Sequence, residues 1–247
     1  GWIPRKNFTT AAALIQAIPG TIAVLLATTP LAVLLHDFGR EPIFIGLALI
    51  TSLVIVLVKL TVKEGPRSAL REKEPETLVQ SFGGIIMILG QRRFLLLAAF
   101  SITAIGPAIA VIGLLSGVYM RDRFDLNPQQ VGATVLALLI ALNLGGVIYG
   151  PLDRWTGQRK VVVSCGVIAQ VSLLLCLAAL GNVSYWTTLI LLTAFAGVSQ
   201  LHALIIAQAQ NLFPPNLSGR VITTINIFIV GGIFLFQTAS GFAFDLF

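Results

Sequence analysis

The stretch YGPLDRWTGQRK, from Tyr149 to Lys160, packs Asp153, Arg154, Arg159 and Lys160 between two runs that carry no charge. One run reaches back to Gln130 and the other forward to Gly219. Charges this dense need water, and runs this apolar need to avoid it. A membrane surface satisfies both: the charged stretch lies in water and its flanks lie in lipid. The stretch therefore reads as a short loop between two spanning segments.

The rest of the chain agrees. Of its 247 residues 56% are hydrophobic and 11% charged, with a mean hydropathy of +0.93. Soluble domains carry about 25% charged residues. A chain this long has residues enough for a sizeable core, but too little polar surface to cover so much apolar side chain. The first residue is Gly rather than Met, and the last stretch, GFAFDLF, is still mostly apolar. The sequence reads as a fragment of a longer membrane protein. A net charge of +6 and a pI of about 9.8 fit the Lys and Arg excess of cytoplasmic membrane loops. No basic stripe is interleaved with stacking aromatics, so nucleic acid is not an expected partner.

Seven stretches reach the roughly 20 apolar residues that a span needs. They run over 8–35, 43–62, 94–120, 131–149, 161–180, 186–212 and 221–244. Backbone groups in lipid must bond within their own segment, so each is expected to be a helix. The alternation of a membrane barrel is absent. The fold class is thus an all-α, polytopic transmembrane bundle.

Charge tests the count. Alternate connections hold Arg5, Lys6, Lys59, Lys63, Arg67, Arg71, Lys73, Arg92, Arg93, Arg154, Arg159, Lys160 and Arg220. The opposite side holds only Arg40, Arg121 and Arg123. That bias puts residue 1 in the cytoplasm and residue 247 outside, in the cell membrane. The longest connection opens with KEGPRSALREKEPE. It continues with Leu78, Val79, Phe82, Ile85, Ile86 and Leu89 at helical spacing, the pattern of a helix lying in the membrane interface.

Breakers and polar residues inside spans point to working parts. Pro19-Gly20, Pro30 and Gly106-Pro107 predict kinks. Gly145, Gly146 and Gly150 leave one helix face small enough for close packing. Polar side chains in lipid tend to face a bundle interior. In the sixth span Gln200, Gln208 and Asn211 share roughly one face, with His202 and Gln210 beside it. In the seventh, Thr223, Asn226 and Gln237 form a stripe. Asn143 stands alone in the fourth, and Ser101 and Thr103 precede Pro107 in the third. His202 is the one imidazole deep in a span, a group able to change charge near neutral pH, and the lipid bilayer is an expected partner.

Other chemistry is not called for. Cys165 and Cys176, eleven residues apart, would stand about 16 Å apart along a helix, too far for a disulfide. There is no Ser/His/Asp set, no HExxH and no phosphate-cradling GxxxxGK[ST], and no enzyme activity, cofactor or metal is expected. Asp122 and Asp125 read as a solvated loop before a helix start at Asn127-Pro128.

GPLDRWTGQRK resembles the cytoplasmic signature loop of the major facilitator superfamily, roughly G-x-x-x-D-R/K-x-G-R-R/K. Asp153-Arg154 and Arg159-Lys160 carry the match. Gly150 stands three residues before the Asp rather than four, and Gly157 four after it rather than three. In that family twelve helices form two six-helix lobes joined by a long cytoplasmic loop. The resemblance implies that residues 1–63 are the last two helices of the N-terminal lobe. It makes 64–93 the inter-lobe loop and 94–247 the first five helices of the C-terminal lobe. The spans are then helices five to eleven, and Asp153 lies in the second copy of the signature. IPGTIAVLLATTP does not fit the antiporter signature of helix five.

The family implies a secondary transporter of a small solute working by alternating access, so the resemblance adds a small-molecule substrate and, through His202, a coupling proton to the expected partners. Gly150, Asp153, Arg154, Gly157, Arg159 and Lys160 would form the gating loop. Asp153 would cap backbone N–H groups at residues 7–11, since a carboxylate is favourable near a helix N-terminus. The candidate cavity-lining residues are Thr103, Pro107, Asn143, Gln200, His202, Gln208, Asn226 and Gln237. Two alternatives compete. A seven-helix receptor would need its N-terminus outside, against the charge bias. A transport-inactive, sensor-like member of the family differs from a transporter only in an uptake assay.

Overall fold

The computed structural model of the chain describes residues 18–26, 34, 38–61 and 78–245. Every regular element among them is helical. They are α1 (residues 18–26), α2 (Arg40–Thr61), α3 (Leu78–Leu89), α4 (Arg92–Ala110) and α5 (Ser116–Phe124). There follow α6 (Pro128–Thr156), α7 (Arg159–Leu180), α8 (Tyr185–Val198), α9 (His202–Asn211) and α10 (Ser218–Asp245). A π-helical turn, Val111–Leu115, joins α4 to α5, and a 3-10 turn, Pro215–Leu217, leads into α10.

Six stretches are long and apolar enough to cross a bilayer: Arg40–Thr61, Arg92–Phe124, Pro128–Thr156, Arg159–Leu180, Tyr185–Asn211 and Pro215–Ala243. They correspond to the second to seventh expected spans. Most of the first expected span lies outside the described residues. The chain divides into two compact units, Gly1–Val24 with Gly84–Phe247, and Leu25–Gly83.

In the Leu25–Gly83 unit, α2 has no buried residue. Its polar side chains are satisfied locally. The hydroxyls of Thr51, Ser52 and Thr61 donate to carbonyls one turn back, at 2.8, 2.8 and 2.6 Å. That is how a hydroxyl is tolerated where no water is at hand.

In the larger unit α10 runs alongside α4, and α8 packs on α6 and α7. The α4–α10 crossing is a backbone contact. A methyl group on Gly106 would sit 2.7 Å from the Gly232 carbonyl oxygen, and one on Gly232 would sit 2.7 Å from the Ile102 Cα. Lipid offers helices no hydrophobic drive to associate, so small residues that admit close van der Waals contact decide such crossings. Two apolar clusters fill the unit. One gathers Phe94, Val162, Leu201 and Ile225; the other gathers Ile112, Met120, Leu138 and Phe195. The Phe94 ring meets Phe213 and Phe228 edge-on, at 5.8 and 6.5 Å.

Sequence expectations of local structure hold at several ends. Asn127 caps α6, taking the Gln130 amide at 2.9 Å while the Gln130 side chain takes the Asn127 amide at 3.0 Å, and Pro128 follows at the first helical position. Arg121 and Asp122 form an exposed pair, and Arg123 reaches Asn182. The helix expected over Leu78–Leu89 is present as α3. There Ile88 is fully buried while Ile86 is exposed, so the inward face is turned from the expected one. Pro107 lies inside α4 and does not break it; the ladder slips to a π-helical turn just beyond.

Candidate functional site

The charged stretch is more helical than a loop. α6 continues through Pro151 to Thr156, α7 begins at Arg159, and only Gly157 and Gln158 lie between them. Pro151 removes one ladder bond, which a membrane helix tolerates. Termination comes from Gly157, whose φ of 59° is left-handed backbone that glycine adopts freely. Its N–H donates to the Asp153 carbonyl at 3.1 Å. This bond explains why Gly157 stands four residues after Asp153: it closes the last turn back onto that residue.

The turn brings Asp153 and Arg159 together. Arg159 Nε donates to both carboxylate oxygens at 3.1 Å, and Nη2 donates to Oδ2 at 2.6 Å. The side chains are 10% and 21% exposed, so the pair is largely out of water. A fork of this kind is the strong form of charge-assisted hydrogen bond. Each charge sits at the helix end that disfavours it. Asp153 is in the last turn of α6, where the helix dipole is negative, and Arg159 opens α7, where it is positive. The pair offsets both penalties. Arg154 and Lys160 point outward and exposed, and Trp155 between them is 84% exposed. Gly150 is buried within α6. Residues 7–11, the expected partners of Asp153, lie outside the described residues.

The sixth span is not one helix, as the sequence led us to expect. It is interrupted at Ser199–Leu201, between α8 and α9. Leu201 N–H folds back to the Ser199 carbonyl at 2.9 Å, and Ser199 Oγ donates to the Phe195 carbonyl at 2.6 Å. Gly197, Ser199 and Gln200, two small residues and a polar one in mid-span, are the local reason: they add little apolar packing to hold the ladder. The single face expected for Gln200, Gln208 and Asn211 therefore does not exist, because Gln200 precedes the start of α9.

Two of the predicted polar positions meet beside the break. His202 Nε2 and Asn226 Oδ1 are 3.2 Å apart, linking α9 to α10. Gln200 packs its stem on Gly146 of α6, where a methyl group would sit 2.7 Å from Cγ. Asn143 donates its amide to the Leu139 carbonyl at 2.9 Å, leaving Oδ1 facing Gly20 of α1. A methyl group on Gly20 would sit 2.8 Å from that oxygen, and the neighbouring Thr21 hydroxyl is buried with no hydrogen-bond partner. Thr103 is exposed and bonds the Phe100 carbonyl, while Pro107, Gln208 and Gln237 are half-buried. None of the predicted cavity residues lines the cavity of about 770 Å³ at the Asp122 end of the bundle, whose walls include Ser116, Tyr119, Asp122, Arg123 and Ser240.

The sequence reading passed over Tyr149, Gly197 and Ser199. Tyr149 Oη donates to the Val198 carbonyl at 2.6 Å, directly at the break. The run Gly197-Val198-Ser199-Gln200 at mid-span was the available signal.

The family model described as Major Facilitator Superfamily matches residues 1–237. No curated protein and no solved structure matches the chain.

Proposed function

The chain belongs to the major facilitator superfamily, and on that premise we propose that it is part of a secondary transporter that moves a small solute by alternating access. Its helices make it a multi-pass membrane protein. In this reading residues 1–63 belong to the first lobe, 64–93 link the lobes, and 94–247 belong to the second. Residue 1 faces the cytoplasm of the cell membrane and residue 247 the other side. The α6–α7 turn is then the second lobe's cytoplasmic gate.

The observation that carries the proposal is the Asp153–Arg159 fork. Two largely buried charges stand at helix ends that disfavour them, held by each other. Such a turn is fixed in one geometry while paired and loses that geometry when the pair opens. The solute site lies where α6, the Ser199–Leu201 break, α9 and α10 present Asn143, Gln200, His202 and Asn226. A broken span at a membrane's midplane is a recurring way to expose polar groups to a solute. His202 is the candidate relay for a coupling proton.

The test uses the whole protein in proteoliposomes, with uptake and exchange measured for a panel of labelled small solutes. Accumulation or exchange of one solute, slowed by Asp153→Asn, supports the reading. A protein that moves none of them, with Asp153→Asn leaving its two-sided accessibility unchanged, refutes it.

A further inference from the structure

The end of α8 at the break can be accounted for group by group. The last four carbonyls of a helix have no partner within it, and here they belong to Phe195, Ala196, Gly197 and Val198. Ser199 closes the first two: its Oγ donates to the Phe195 carbonyl at 2.6 Å and its N–H to the Ala196 carbonyl at 3.1 Å. Val198 is closed from α6, and Gly197 packs against it. Tyr149 Oη donates to the Val198 carbonyl at 2.6 Å. The Gly197 carbonyl oxygen lies against Gly145, where any methyl group would overlap it. The Tyr149 hydroxyl also lies over α7, 2.9 Å from where a methyl group on Gly166 would stand. Gly145, Tyr149 and Asp153 are spaced four residues apart, so they share one face of α6. Pro151 sits between the last two and has no N–H to give the ladder, which leaves the terminal turn of α6 a point at which to bend.

We infer that Tyr149, its hydroxyl seated over Gly166, is a positioning residue that holds the mid-span break open and ties its geometry to the charged turn. One end of the shared face is fixed by the Asp153–Arg159 fork. The other end meets the Gly197 and Val198 carbonyls of α8, and beyond the break stand Gln200 and His202. Opening of the fork frees the α6 terminus beyond Pro151 and shifts Tyr149 relative to the Val198 carbonyl. The orientation of the polar groups beside the break then changes with the state of the turn. The consequence for transport rests on the function proposed above; the coupling of turn to break does not.

The experiment is hydrogen–deuterium exchange on the whole protein in lipid nanodiscs, with no solute added. Backbone exchange is followed in peptides covering 197–203 and, as a control, around Gly106 and Gly232. A buried carbonyl left without its donor shifts a local opening equilibrium by roughly tenfold. Tyr149→Phe is therefore expected to speed exchange at 197–203 by about that factor and to leave the control peptides alone. Asp153→Asn is expected to speed exchange at 197–203 in the native background and to add nothing in the Tyr149→Phe background. A side chain that merely stabilises the bundle would raise exchange in the control peptides too. It would also let the two substitutions multiply. Unchanged exchange at 197–203 in Tyr149→Phe, a parallel rise in the controls, or multiplicative effects each overturn the inference. If the protein proves to move no solute, the transport reading falls while this pattern still decides the coupling.

Discussion

Reversing the charges of the Asp153–Arg159 pair separates what the turn does locally from what it does for transport. The single substitutions come first. An exposed ion pair contributes about 0–1 kcal/mol, while removing one partner of a fully buried pair costs about 3–5 kcal/mol. With side chains 10% and 21% exposed and the shortest contact 2.6 Å, this pair falls between those limits, at about 2 kcal/mol. Asp153→Asn also relieves a carboxylate at the negative end of α6, which returns about 0.5 kcal/mol. The net loss is then about 1.5 kcal/mol, or roughly a tenfold shift of the turn toward its unpaired geometry. Arg159→Gln should match it within a factor of about three, because it relieves the equivalent penalty at the start of α7.

The reversed variant, Asp153→Arg with Arg159→Asp, restores opposite charges and places each at the helix end that favours it. Its turn should be more stable than the native one, by about 2 kcal/mol if both dipole terms, about 0.5 kcal/mol each, change sign. Transport should nevertheless stay impaired under the proposed gate, in which a carboxylate at position 153 caps backbone N–H groups of the other lobe. Spin-label distances across the charged side of the full-length protein report how often that side is closed; solute uptake into proteoliposomes reports turnover. The expected result is a stable reversed pair with the closed population and the uptake both still low. Full recovery of both would show that Asp153 acts through Arg159 alone, and the gate reading would be wrong.

Three further outcomes follow from the same geometry. Gly157→Ala should lower stability by about 1 kcal/mol, because a φ of 59° is left-handed backbone that a Cβ disfavours; thermal unfolding in detergent measures it, and no change would mean the turn ends by another route. Gly20→Ala should push α1 away from Asn143, whose Oδ1 would lie 2.8 Å from the new methyl group, and slow uptake; Asn143→Ala in the same chain should recover most of the loss, and failure of that rescue would remove the contact from the mechanism. If a coupling proton passes through His202, uptake by His202→Gln should lose its dependence on pH between about 5 and 8, the range in which imidazoles ordinarily titrate; a profile unchanged from the native one would exclude that route.

What could be read from the chain, and what could not, divides along a physical line. Spans 40–61, 92–124 and 128–156 were visible because lipid imposes a length and a composition that continuous apolar runs announce. The Asn127 cap was visible because it depends on residues adjacent in sequence; the inclusion of Asp153 in the last turn of α6 and its pairing with Arg159 were not. The break at Ser199–Leu201 was not. Its weakness is local, in Gly197-Val198-Ser199-Gln200, but its partners are Gly145 and Tyr149, some fifty residues earlier. Hydropathy registers no difference between a ladder that is intact and one that has a carbonyl bonded by a neighbouring helix. Tyr149 was hidden for a further reason: it stands at the edge of the charged stretch, where sequence does not show which way a hydroxyl turns. Its hydroxyl turns inward to the Val198 carbonyl at the end of α8, where the helix ladder stops. In a membrane an unpaired carbonyl costs several kcal/mol, so a break in one span requires a donor on another. For any discontinuous span the informative residues are therefore the hydroxyls and glycines of the helix packed beside it.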